Sequence, residues 1–129
     1  MFDHISISVH DLERSVAFYD AVLAPLGCVR AFRSEKAAGW DTPAGHAEPP
    51  FAVVRVPTAS PTGSTEMGHI AFSAPTRAAV VAFFDAAVAH GAESQEAPRV
   101  WTEYGPTYFA AFVGDPDGHN IEAVCHAAE

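Results

Sequence analysis

Along residues 2–9 (FDHISISV), apolar and polar positions alternate: Ile5, Ile7 and Val9 fall on one side, His4, Ser6 and Ser8 on the other. A period of two predicts a strand with one buried face. Asp11 then supplies an N-cap, and Leu12, Val16, Tyr19 and Leu23 recur at helical spacing until Pro25 and Gly27 end the run. Residues 28–34 and 37–42 are weaker strand patterns. FAVVRV at 51–56 is a firm one, β-branched and bounded by Pro50 and Pro57. The polar stretch 57–66, rich in Pro, Ser, Thr and Gly, reads as a linker.

Beyond the linker the plan recurs. His69, Ala71 and Ser73 alternate with Ile70, Phe72 and Ala74, and Thr76 caps a helix bearing Val80, Phe84, Ala87 and Val88 that Gly91 ends. Residues 94–107, with Trp101 and Tyr104, read as a long loop of the kind that often carries function. Strands at 108–114 and 119–125 flank the turn Asp115-Pro116-Asp117-Gly118.

The recurrence is visible residue by residue. Shifted by 65 positions, residues 4–24 align on 69–89 without a gap, and His4/His69, Phe18/Phe83 and Asp20/Asp85 are among the identical pairs. A fixed period of this kind dictates architecture. The expected fold is α+β: paired βαβββ modules at 1–56 and 67–129, joined by the 57–66 linker into one compact domain. Each module has a small sheet with a helix on its apolar face. The other faces of the two sheets are expected to join into a curved, open mixed-sheet barrel.

Composition narrows the function. The 129 residues suffice for one domain with a real core. A formal charge of −9, with only seven Lys and Arg, argues against nucleic acid and anionic membrane surfaces. No apolar run nears the ~20 residues of a membrane span. The acidic, His-bearing start does not resemble a signal peptide, and two lone cysteines, Cys28 and Cys125, suit a reducing compartment. A cytoplasmic protein with a small-molecule partner is the expectation.

Parity also selects a candidate site. On 119–125, Ile121, Ala123 and Cys125 suit the helix side, so Glu122 faces the concavity, as His4 and His69 do. Two imidazoles and a carboxylate converging from separate strands bind one face of a divalent ion and leave positions open. A lone strand histidine is more often structural, but a histidine carried in both copies is hard to explain by packing, where Leu or Val would do better. Tyr108 shares a face with Ala110 and Phe112, as a cleft wall or a site residue. Trp101 and Tyr104 either close over a ligand or tuck against their own domain, and Arg55 either pairs with a substrate anion or is a salt-bridged edge residue. By parity His119 falls on the helix side or at the rim, where an exposed turn histidine is the common case, and His10, His46, His90 and His126 are expected on the solvated surface.

HISISVHDLERSVAFYDAVLAPLG, GHIAFSA and FVGDPDGHNIEAV together resemble the vicinal oxygen chelate superfamily. It includes glyoxalase I, extradiol dioxygenases, fosfomycin resistance proteins and bleomycin resistance proteins. The resemblance spans essentially the whole chain and implies paired βαβββ modules around a U-shaped cleft. It also implies metal ligands at His4, His69 and Glu122, and a tyrosine, Tyr108, near the metal. The implied protein is a homodimeric enzyme dependent on a divalent ion (Fe, Mn, Ni or Zn) that chelates two neighbouring oxygens of a small substrate. Lyase or isomerase, dioxygenase and transferase chemistry all fall within it, with Glu122 as ligand or as base. The alternative is a non-catalytic sequestration protein of the bleomycin-resistance type. Glyoxalase I adds a fourth ligand, a glutamate on the last strand of the first module, where Val53 or Val54 is expected here. The remaining three-ligand set resembles that of the extradiol dioxygenases and fosfomycin transferases.

Overall fold

A computed structural model describes residues 1–63 and 68–128. The end of the expected linker (64–66), the first residue of the expected second module (67) and residue 129 lie outside the described residues. The first module runs β1 (Ile5–Val9), α1 (Leu12–Leu23), a 3₁₀ turn (Ala24–Leu26), β2 (Val29–Arg33), β3 (Ala37–Asp41) and β4 (Phe51–Arg55). The second runs β5 (Ile70–Ser73), α2 (Arg77–Ala89), β6 (Ser94–Val100), β7 (Phe109–Gly114) and β8 (Asn120–Cys125). Each module folds its own mixed sheet, in the orders β1-β4-β3-β2 and β5-β8-β7-β6, and in each the first strand pairs in parallel with the last.

The helices begin where short polar side chains satisfy otherwise unpaired amides. Asp11 accepts from the Arg14 amide at 3.1 Å, and Thr76 from the Ala79 amide at 3.1 Å. Gly27, at φ 85°, takes the left-handed position that turns the chain from the 3₁₀ segment into β2. Between Thr76 and Gly91 the buried stripe of α2 is Ala79, Val80, Phe83 and Ala87, whereas Val88 is exposed, contrary to the periodicity reading.

Two further expectations are corrected. Residues 94–100 are not loop but the edge strand β6, antiparallel to β7 with register shifts around Glu96. Pro98 is tolerated because an edge strand leaves one side of its backbone unpaired, and bulges absorb the mismatch. The modules are also not joined through the sheet faces opposite their helices. The helix-side residues of both sheets and both helices share one core, and α1 packs directly on α2. Tyr19 lies at its centre, fully buried, with the Phe18, Trp40 and Phe51 rings 5.0–5.4 Å away. Phe72 of β5 meets Phe51 edge-on at 5.0 Å across the seam. The sheets do not close into a barrel, and their outward faces point away from this core.

The outward faces differ. On the second sheet Trp101, Ala110, Phe112 and Val124 form a separate small cluster. The first sheet's outward side leaves Phe32 and Val54 exposed. Among the described residues, no helix is long and apolar enough to cross a membrane.

Candidate functional site

Strand β8 sits between β5 and β7, so both of its edges are hydrogen-bonded and its two faces are left for the core and the outward side. Its alternation follows the parity reading. Ile121, Ala123 and Cys125 enter the shared core, while Glu122 and Val124 face the other way. Glu122 is opposite Ala71 on β5 and Phe112 on β7, and is 0% exposed. A carboxylate so buried needs partners, because losing hydration costs several kcal/mol per ion.

Two side chains reach it. The Tyr108 hydroxyl donates to Glu122 Oε1 at 2.6 Å. His69, one residue ahead of β5, brings Nε2 to 3.0 Å from Oε2, but the contact is not aligned as a hydrogen bond. Oε2 is therefore a buried carboxylate oxygen with an imidazole beside it and no hydrogen-bond donor among the described residues. Burial, and then the Glu122 hydrogen bond, push the Tyr108 phenol up to about 12, so it remains a donor.

Above this trio opens a cleft of about 500 Å³. His69, Tyr108, Phe112 and Glu122 lie on its floor and sides, with Trp101 and Tyr104 at the wall. The wall is built from ring contacts: Trp101 stacks on Tyr104 (5.9 Å, 19°) and meets Phe112 edge-on at 5.2 Å. Trp101 Nε1 donates to the Ala110 carbonyl at 3.1 Å, which fixes the indole, whereas Tyr104 is 63% exposed. Asn120, Gln95 and Glu96 complete the lining. Reading 94–107 as loop hid the last two. The paired turn signals at Gly91 and Asp115 were the available hint that a strand had to cover that edge.

The remaining sequence candidates lie elsewhere. His4 stands one residue ahead of β1, exposed, with Nδ1 2.6 Å from Asp3 Oδ1, and the Asp3 hydrogen bond raises its pKa. Among the described residues, no group of three His, Cys, Asp or Glu side chains is close enough to hold a metal ion, so one chain does not bring His4 to His69 and Glu122. Arg55 lines a different hollow, beside His10, Glu13 and Arg33, and not the cleft. His119 is buried rather than exposed, because Nε2 lies 2.8 Å from the Ser8 carbonyl and ties β8's start to β1. His10 is half-buried, its Nε2 2.7 Å from the Ser60 carbonyl. The strand registers also correct the position opposite Glu122 in the first module. Ile5 pairs with Phe51 as Ile70 pairs with Ile121, so Ala52, not Val53 or Val54, is the counterpart of Glu122.

A model of the Glyoxalase/Bleomycin resistance protein/Dioxygenase superfamily matches residues 1–123. The chain belongs to this superfamily. Among solved structures, a glyoxalase/bleomycin resistance protein from Albidiferax ferrireducens is similar at 28% identity and a TM-score of 0.81, covering 98% of this chain and 99% of that one. A glyoxalase/bleomycin resistance protein/dioxygenase family enzyme from Burkholderia phytofirmans is similar at 19% identity and a TM-score of 0.67, covering 96% and 97%. A variant of the fosfomycin resistance protein FosX from Listeria monocytogenes, complexed with Mn(II) and 1S,2S-dihydroxypropylphosphonic acid, is similar at 21% and 0.67, covering 100% and 92%. The latter two likenesses concern the fold alone. No curated protein matches in sequence.

Proposed function

We propose that this superfamily member is a divalent-metal-dependent enzyme acting on a small molecule with neighbouring oxygens, and that its site is completed across a homodimer. His69 and Glu122 of one copy hold the ion together with His4 of a second. The observation that carries this reading is Glu122 Oε2: a fully buried carboxylate oxygen, beside an imidazole, with no hydrogen-bond donor among the described residues. A buried charge in that state is costly unless a cation satisfies it.

The donor set fits. Imidazole and carboxylate suit Fe, Mn, Ni or Zn, and two or three protein donors leave positions for substrate. When bound, the ion supplies Lewis acidity that polarises the substrate's oxygens. The chain's own residues prepare for it. Tyr108 holds Glu122 by Oε1 and so leaves Oε2 for the ion, and Asp3 engages His4 Nδ1 and leaves Nε2 for coordination, the usual second partner of a ligating histidine. A second copy is invoked because, among the described residues, one chain does not bring His4 to His69 and Glu122, whereas an isologous pair would let each chain supply the other's histidine. The FosX likeness agrees in kind, since that protein was crystallised with Mn(II) and a vicinal diol.

The test is metal uptake by mixed variants. Wild-type protein should bind one Mn(II) per chain in calorimetry, and His4→Ala and Glu122→Gln should each lose it. Mixed in equal amounts and allowed to exchange subunits, the two should regain about a quarter of wild-type capacity, because half the dimers carry one intact site. Wild-type protein that takes up no Fe, Mn, Ni or Zn would overturn the reading in favour of sequestration without metal. Full Mn(II) binding by His4→Ala would remove His4 from the site.

A further inference from the structure

The chain has seven Lys and Arg, and none lines the cleft. Arg30 and Arg33 turn to α1, where they pair with Asp20 and Glu13 at 3.6 Å. Arg14 and Arg55 line hollows elsewhere, Lys36 belongs to the β2–β3 hairpin, and Arg77 lies over the Phe109 ring at 5.2 Å. Arg99 comes nearest, but its guanidinium is stacked on Trp101 at 3.4 Å and paired with Glu103 at 3.2 Å.

The cleft itself carries two carboxylates, Glu122 at the floor and the exposed Glu96 at the wall, with the amides of Gln95 and Asn120. The first sheet's outward face adds no fixed positive charge, because Phe32, Gly39, Ala52 and Val54 share it by register with Ser6 and Ser8. On a chain of net charge −9, such a cleft focuses negative potential. No Lys or Arg lines the cleft, so an anionic group on a ligand would meet two carboxylates and only the His69 imidazole and neutral donors to offset them.

The wall offers something else. Trp101, Tyr104, Tyr108 and Phe112 form a continuous series of ring contacts, and Tyr104 leaves its face open to solvent. Aromatic faces attract flat rings and cations, and discriminate against anions.

We propose that this cleft takes a planar aromatic ligand that is neutral or positively charged, and turns away carboxylated and phosphorylated molecules. The proposal rests on the cleft being the substrate site of the reading above, and names the class of molecule that occupies it. The aromatic body lies against the exposed Tyr104 ring, which the buried Trp101 backs, with its polar end toward His69 and Glu122.

The test is a matched panel titrated calorimetrically into the full chain in EDTA, so that no bound ion contributes: N-methylquinolinium, quinoline and 2-naphthoate. The expected order is quinolinium, then quinoline, then naphthoate, with the anion at least about tenfold weaker than the cation. Glu96→Gln should cost the cation about threefold and leave quinoline unchanged. Tyr104→Ala, at an exposed position that the core does not need, should weaken both. Naphthoate binding as tightly as quinolinium would overturn the proposal, and so would absence of binding by all three at millimolar concentration. Mn(II) uptake, measured separately, reports the metal reading. Metal uptake with an anion preference sinks only this proposal; a cation preference without metal uptake sinks only the enzyme.

Discussion

Glu122 makes three demands on its surroundings that no other described residue makes together: full burial, a short donor on one oxygen, and none on the other. Removing the donor should be felt in stability. Tyr108→Phe strips the buried Glu122 Oε1 of its hydrogen bond at the floor of the cleft, and should destabilise the fold by about 1–3 kcal/mol. For a chain of this length that lowers Tm by on the order of 3–5 °C per kcal/mol, readable by calorimetry or circular dichroism. Glu122→Gln is the contrasting case. The amide keeps an acceptor for Tyr108 and removes the buried charge, so Tm should hold or rise while metal uptake is lost. A fall in Tm larger than that of Tyr108→Phe would mean the carboxylate is there for structure. At this scale alternation alone was enough to orient Glu122, because period two is a property of the strand itself. It could not supply the partners. Tyr108 is 14 residues from Glu122, and His119 meets Ser8 across 111 residues, contacts made only once both sheets exist.

The hairpin turn between β7 and β8 does more than reverse the chain. Asp115 Oδ1 accepts from the Asp117 and His119 amides at 2.9 and 2.8 Å, and Oδ2 accepts from the Tyr19 hydroxyl at 2.6 Å, so the turn is anchored to the core of α1. Asp117 Oδ1 accepts from the His10 amide at 2.9 Å just after β1. Second-module turn and first-module helix are therefore one polar latch. Burial, outweighing the hydrogen bonds from Tyr19 and the turn amides, raises the Asp115 pKa above its ordinary 3.8. A carboxyl with a raised native pKa binds its proton more tightly folded than unfolded. Its contribution is fully present below the ordinary value and is lost as pH rises through the native one. Asp115→Asn should accordingly gain stability relative to wild type between pH 3.5 and neutrality, measured by urea unfolding at each pH. A difference that does not change with pH would show that Asp115 titrates alike in both states. The caps, the DPDG turn and seven of the eight strands were legible because each is a local signal, weaker for β2 and β3. Strand β6 was not, since SQEAPRV lacks alternation and contains proline. Its strand state is imposed by β7 alongside it and permitted by its place at the edge.

Across the molecule, the sequence repeat predicted two modules but not how they would meet. Both helices carry an apolar stripe, and burying stripe against stripe satisfies each at once, which is why α1 packs on α2 and the helix sides share one core. The outward faces are then left for something outside the chain, and the proposed occupant is a second copy. Its charge has a consequence that separates this interface from others. Two chains of −9 repel, and in the first sheet Arg30 and Arg33 are already engaged with acids of their own helix. What remains for the contact is the apolar face around Phe32 and Val54. Salt screens the repulsion over a Debye length that shrinks from ~30 Å at 0.01 M to ~10 Å at 0.1 M, and leaves apolar burial nearly untouched. Raising NaCl from 10 to 300 mM should therefore shift sedimentation profiles toward dimer. Mn(II), which neutralises two charges at each shared site, should shift them further at low salt. A dimer that dissociates on adding salt would instead be held by ion pairs, and a monomer under all three conditions would leave His4 without a partner site.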